Sequence, residues 1–303
     1  MDNLYFGEII RIRREELNMK QEELCEGVCE RSTLSKIERG KNECSKYLAE
    51  VFLQRLGLPM EFYYASHSKK SIGQVKIKND LTIALRTNND YALPELIKEG
   101  EQYLDENIIY RQLIMRAKAT ILYNDGNISE AQNMLWKAIC LVHKDFSFEK
   151  IEKMFLSLED IYILNLSALI YTEQKDCETG LKIYKALIDN ITTKKENDNS
   201  FEVINIKVML YYNYSRALGR ADYYKECLLY AEKGLELNRN TNRIMQQAEL
   251  LMNKGYSLCS IHGRKEEGIL VLKDALKLCE VIQHHRYIDI IKRDAKQLFG
   301  VIL

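Results

Sequence analysis

Only two prolines, Pro59 and Pro94, interrupt a chain of 303 residues, and glycines number only 14. Sandwiches, barrels and propellers need tight turns at short intervals, and these two residue types supply most of them. A chain this poor in both cannot turn often enough, so the sequence predicts an all-α fold. The length leaves room for roughly two domains, at about 100–200 residues each. Hydrophobic residues at 46% suffice to bury a core in both.

Lys and Arg together equal Asp and Glu, 44 against 44. That balance excludes a uniformly basic nucleic-acid coat and an acidic disordered tail. The eight cysteines form no CxxC pair. Cys25 and Cys29 lie one helical turn apart with no histidine nearby, so buried thiols in a reducing compartment are expected, not zinc. His284 and His285 read as surface or packing residues. The N-terminus lacks a signal-peptide core, and no apolar run approaches the ~20 residues of a membrane span. The expectation is a cytoplasmic protein with no membrane partner. No nucleophile–base set, phosphate loop or metal motif occurs, so no enzyme, no cofactor and no metal site are expected.

The chain is expected to divide near residues 67–78. Residues 1–66 hold short helical patterns with tight turns. The stretch 67–78 is polar, basic and weakly periodic, and reads as a linker. From 79 to 303, long amphipathic segments alternate with polar clusters at 124–127, 173–176, 194–200, 219–222, 239–242 and 262–265, as antiparallel helix pairs would.

This second part repeats itself. A small residue, a bulkier one four later and a small one three after that recur as Ala131–Leu135–Ala138, Thr179–Ile183–Ala186, Cys227–Ala231–Gly234 and Gly268–Leu272–Ala275. Successive units start 48, 48 and 41 residues apart. Small residues at i and i+7 share a helix face and let a neighbouring helix approach closely. The preceding helices carry their own small positions, Ala119, Ser167 and Ser215. The pattern resembles the tetratricopeptide repeat, with a longer period than that family's 34. The resemblance implies a right-handed superhelix of about five helix pairs. Four are clear, one over 79–106 is poorer, and a last helix is expected over 284–300. Trp136 and most of the 19 tyrosines are expected to pack between helices.

The first part carries a different signature. Phe6, Ile9, Ile10, Ile12 and Leu17 fit a first helix. Leu24, Cys25 and Val28 fit a short second one opened by Gln21. A brief turn leads to a third that buries Leu34 and Ile37 and stops at Gly40. Residues 46–64 supply helices four and five. Two short helices joined by a tight turn match a helix-turn-helix. The runs Gln21-Glu22-Glu23-Leu24-Cys25 and Ser32-Thr33-Leu34-Ser35-Lys36-Ile37-Glu38-Arg39-Gly40 resemble the Xre/Cro-type repressors over about 60 residues. A recognition helix presents its N-terminal residues to base edges. That points to Arg31, Ser32 and Thr33, with Ser35 and Lys36 one turn on. Arg31 can bond a guanine bidentately. The resemblance implies that Gln21 clamps the DNA backbone, and Arg39 and Lys41 are phosphate candidates. Arg39 could instead cap its own helix.

Residues 1–66 contain 10 basic and 12 acidic side chains, a net −2, although residues 31–46 carry five basic and two acidic. Phosphate contacts dominate affinity for DNA, so one copy should bind poorly. A homodimer on a palindromic double-stranded operator is the physical expectation.

A Cro-like head joined to tetratricopeptide-like repeats resembles the PlcR/PrgX/Rgg (RRNPP) peptide-pheromone regulators of Gram-positive bacteria. The resemblance implies quorum sensing: a short signal peptide in the concave groove repositions two DNA-binding heads. Asparagine chemistry fits that role, because its amide both donates to and accepts from a peptide backbone. Asn165 and Asn213 stand two residues before Ser167 and Ser215, inside otherwise apolar helices. Asn253 is next in line, Arg116 precedes them, and Arg216 could meet a carboxylate. The same side chains could instead tie helix to helix. The basic residue that the family places four positions before its second asparagine is Met209 here, so the peptide's charge cannot be carried over. The alternative function is a phage- or mobile-element-type repressor whose repeats only dimerise or bind a protein partner.

Overall fold

The computed structural model describes residues 4–65, 69–104, 106–174, 176–196 and 198–303, and every regular element among them is helical. The chain divides into two compact units, residues 1–125 and 126–303.

The first unit begins with five helices: α1 (Leu4–Glu16), α2 (Gln21–Cys25), α3 (Arg31–Glu38), α4 (Lys46–Leu56) and α5 (Glu61–Tyr64). Phe6, Ile10, Leu24, Leu34, Ile37, Phe52 and Leu53 close one core between them. Gly7 makes the α1–α3 contact possible, since a Cβ there would stand 2.0 Å from the Ile37 carbonyl oxygen. Ser45 caps α4 by accepting from the Leu48 amide, and Gly57 ends it in the left-handed region. Two of the apolar positions read into the first helix stay outside the core. Ile12 faces solvent, and Leu17 lies past the helix end, where Asn18 at φ 53° turns the chain away.

Three longer helices complete this unit: α6 (Lys69–Arg86), α7 (Leu93–Glu101) and α8 (Ile108–Asn124). The expected linker is thus mostly helix, from Lys69 onward. Its Ile72 and Val75, spaced i and i+3, pack on the core of the five-helix head, which is why the segment is ordered. Residues 66–68, where the head was expected to end and the linker to begin, lie outside the described residues. Further along, Ile77, Leu81, Leu93, Ile97, Leu113 and Ala117 form a second core.

The second unit runs α9 (Ile128–Cys140), a 3-10 turn (Phe148–Lys153), α10 (Leu158–Glu173), α11 (Cys177–Lys194), α12 (Phe201–Arg220), α13 (Tyr224–Asn240), α14 (Gln247–Ser260), α15 (Lys265–Val281) and α16 (His285–Phe299). Each helix packs on the next, and α12 also touches α10 and α14. The first helices of successive pairs therefore form a continuous line. Ser167, Ser215, Ala131, Ala138, Cys227, Ala231 and Ala275 are all buried, as their spacing predicts.

One register differs by a residue. Thr179 is half-buried, and the close approach falls to Gly180, whose Cβ would stand 2.7 Å from the Ala168 carbonyl oxygen. A branched side chain is too large where α11 meets the α10 backbone. Trp136 also departs from expectation, at 43% exposed. The α9–α10 connection, which the sequence reading did not mark, brings Phe146 and Phe148 against its ring at 5.1 and 5.7 Å, so the indole lines a rim instead of filling a core.

Candidate functional site

In the head, α3 turns Leu34 and Ile37 into the core and leaves Arg31, Ser32, Lys36 and Arg39 exposed, with Thr33 and Ser35 half-buried. A buried polar knot holds this helix in place. The Glu38 carboxylate, with its side chain 2% exposed, accepts from Arg14 Nε at 2.7 Å and Nη2 at 3.1 Å, and from Gln21 Nε2 at 2.6 Å. One carboxylate thereby ties α1, α2 and α3 together. The Glu38 hydrogen bond raises the Arg14 guanidinium above its ordinary range, so it stays charged. Sequence reasoning did not pair Arg14 with Glu38. It also missed Arg55, which donates to the Leu24 and Glu26 carbonyls at 2.7 and 2.9 Å and so covers the C-terminal end of α2.

The expected DNA-facing cations divide into two groups. Arg31 Nε stands 3.1 Å from Glu22 Oε1 and donates to Gln21 Oε1 at 3.4 Å. Arg39 donates to the Ser35 carbonyl at 2.9 Å and to Ser35 Oγ at 2.8 Å, which is the capping role. Lys36 and Lys41 are exposed and have no ion partner among the described residues. Gln21 is half-buried, its amide taken by Glu38.

In the second unit, the line of first helices carries Asn165 on α10, Asn213 on α12 and Asn253 on α14, all half-buried. Asn213 Nδ2 donates to Asn165 Oδ1 at 2.9 Å. Asn253 Nδ2 donates to Ser215 Oγ at 2.8 Å and to the Tyr212 carbonyl at 3.3 Å. The three amides thus link adjacent repeats. After that pairing, the Asn165 Nδ2 donor and the Asn213 Oδ1 acceptor have no partner among the described residues.

Arg216 Nη2 and Arg220 Nη1 both meet Glu173 Oε1, at 3.0 and 2.9 Å. Glu173 went unnoticed in the sequence because it sits in a polar turn cluster, where a carboxylate carries no distinguishing signal. Arg116 is 8% exposed on α8, in the first unit, while the three asparagines stand in the second. The tyrosines mostly pack. Tyr184 is fully buried, and Tyr214 meets Tyr230 edge-to-face at 4.7 Å. Burial pushes the Tyr214 hydroxyl up to about 12.

No group of three or more metal-ligating side chains occurs among the described residues, and no helix is long and apolar enough to cross a membrane. Comparison with curated protein sequences gives no match. A helix-turn-helix family matches residues 10–63, and the RNPP family C-terminal domain matches residues 148–299.

Solved structures resemble the chain over nearly its whole length. Bacillus thuringiensis PlcR in complex with the peptide PapR7 and DNA has 17% identity and a TM-score of 0.66, covering 96% of this chain and 99% of that one. A putative transcriptional regulator from Listeria monocytogenes has 17% identity and a TM-score of 0.56, covering 98% of each. The SHP pheromone receptor Rgg2 of Streptococcus dysgalactiae has 13% identity and a TM-score of 0.54, covering 96% and 98%. Among these neighbours one is described as a transcriptional regulator, one is held with a peptide and DNA, and one is a pheromone receptor. A helix-turn-helix head followed by a helical-repeat domain that matches half of the chain makes this protein a member of the RNPP family.

Proposed function

We propose that the protein is a sequence-specific regulator that grips double-stranded DNA as a homodimer and answers to a short linear peptide held along its repeats. On this reading α3 enters the major groove, Arg31, Ser32 and Thr33 reach base edges, and Ser35 supports them. Lys36, Lys41 and Arg39 meet phosphates. Gln21, fixed by Glu38, stands at the start of α2, where backbone N–H groups suit a phosphate. The Arg31–Glu22 contact is solvent-exposed and therefore cheap to exchange for a base.

The observation that carries the peptide half is the Asn165–Asn213 pair. As a unit it offers the unused amide NH2 of Asn165 and the unused carbonyl acceptor of Asn213. That is the complement of a peptide group, repeated at the spacing of adjacent helices. Asn253 extends the line, and Arg216 lies one turn from Asn213 with a carboxylate already on it. A peptide carboxylate could replace Glu173 there. Arg116 on α8 is kept as a further candidate contact for the peptide. Solved relatives support the pairing of partners, since the PlcR structure holds both a peptide and DNA. Peptide binding then changes the placement of the two heads on an operator with two half-sites.

Selection of duplexes from a random pool by the full-length protein tests the DNA half. The account expects enrichment of a two-fold symmetric site, lost in the Arg31→Ala, Lys36→Ala double variant. Identical enrichment by that variant would show that α3 does not read the sequence. A protein that selects a site yet ignores every peptide would instead be a repressor whose repeats only dimerise or bind a protein.

A further inference from the structure

The second unit contains a cavity of about 350 Å³ that the asparagine line does not use. It lies between α9 and α10, lined by Leu135, Trp136, Phe146, Phe148, Ile163 and Tyr171, with Gln132 and Ser167 among its polar lining. Four of its walls are aromatic. Trp136 meets Phe146 and Phe148 edge-to-face, Phe146 meets Phe148 at 5.4 Å, and Phe148 meets Tyr171 at 5.8 Å. On α10 the lining residues Ile163, Ser167 and Tyr171 face α9. Asn165 instead bonds Asn213 on α12, so the two features occupy different flanks of one helix.

The connection that builds this cavity is the second observation. Between α11 and α12 the chain needs only residues 195–200, and between α13 and α14 only 241–246; between α9 and α10 it runs from 141 to 157. That longer segment is pinned at both ends. His143 Nε2 bonds Asp160 Oδ2 at 3.1 Å. The buried Asn190 amide donates to the Ile151 and Met154 carbonyls at 2.7 and 2.8 Å. Between the pins stand Phe146 and Phe148. The rings are therefore held in place around an opening instead of collapsing into it, which is the preformed geometry of a ligand site.

The chemistry of the lining selects an occupant. A dry cavity of about 150 Å³ already accepts benzene. This one has room for a ring and a substituent. Edge-to-face aromatic walls favour another ring. The Trp136 indole N–H and the Tyr171 hydroxyl have no hydrogen-bond partner among the described residues, and both side chains line the cavity. Burial raises the Tyr171 hydroxyl above its ordinary range, so it remains a donor. We infer that this cavity is a binding site for a single six-membered aromatic ring bearing a small polar group, whether free or carried on a peptide backbone.

Trp136 is the one tryptophan of the chain, so its emission reports occupancy directly. Titration of the full-length protein with benzyl alcohol tests a free ring, and titration with N-acetylphenylalanine amide tests a ring on a backbone. The account expects a saturable change in emission with at least one probe. The arm that responds names the source. Phe148→Ala should weaken binding about tenfold, the value of one lost ring–ring contact. Tyr171→Phe keeps every wall, so it guards against a folding artefact: benzyl alcohol should bind more weakly and toluene equally well. No saturable change with either probe in the wild-type protein would overturn the proposal, and so would equal binding by Phe148→Ala.

Discussion

Glu38 accepts from Arg14 and Gln21 inside the head while Arg31 and Arg39 sit at its surface. The two classes of residue should respond to mutation in opposite ways. Glu38→Ala leaves the Arg14 guanidinium mostly buried and without its partner, which costs about 3 kcal/mol. Urea unfolding should show the head destabilised by that amount, with DNA binding lost as a consequence. Lys36→Ala removes an exposed cation without a partner. It should leave stability unchanged and flatten the salt dependence of DNA binding by about one ion. Measuring affinity across a salt series checks this. The exposed residues were legible in the sequence because helix spacing and the Xre/Cro-like run mark them. Glu38 and Arg14 were not, because a charged residue in a helical pattern reads as solvent-facing until its partner, 24 positions away, is known.

At the scale of elements, the repeat period located the helices of the second unit, but it placed one contact a residue early. Small residues 48 apart mark a face, while the exact touching point depends on how neighbouring helices cross. Gly180 and Gly268 are where that crossing brings backbone to backbone. A Cβ at residue 268 would meet the Cys259 nitrogen at 2.6 Å and the Gly255 carbonyl oxygen at 2.7 Å. Gly268→Ala should therefore destabilise the protein by about 1–3 kcal/mol, where alanine in a free helix would stabilise it. Thermal unfolding of the variant checks the sign. The helical start of the expected linker escaped notice because its periodicity is weak and its apolar residues face the head, not a repeat. The long α9–α10 connection escaped too, since it shares no period with anything else. Its anchor is testable: Asn190→Ala strands buried carbonyls and should cost about 2 kcal/mol. Faster proteolysis within 141–157 should accompany that loss.

For the whole molecule, zero net charge hides a division of labour. The head carries local cations on one face within an acidic domain, and the repeats carry a line of amides. On the proposed reading neither binds strongly alone: phosphate contacts from one head would be few, and an amide pair gains little over water unless several act together. Two heads on one operator and several amides on one peptide would answer both weaknesses. The most direct test is the affinity of the full-length protein for its selected duplex, with and without a pool of synthetic linear heptapeptides. Wild-type affinity should shift about tenfold with an active peptide. In the Asn165→Ala, Asn213→Ala variant the peptide-free affinity should be unchanged and the shift absent. A wild-type protein indifferent to every peptide, or a double variant that still responds fully, would contradict the account.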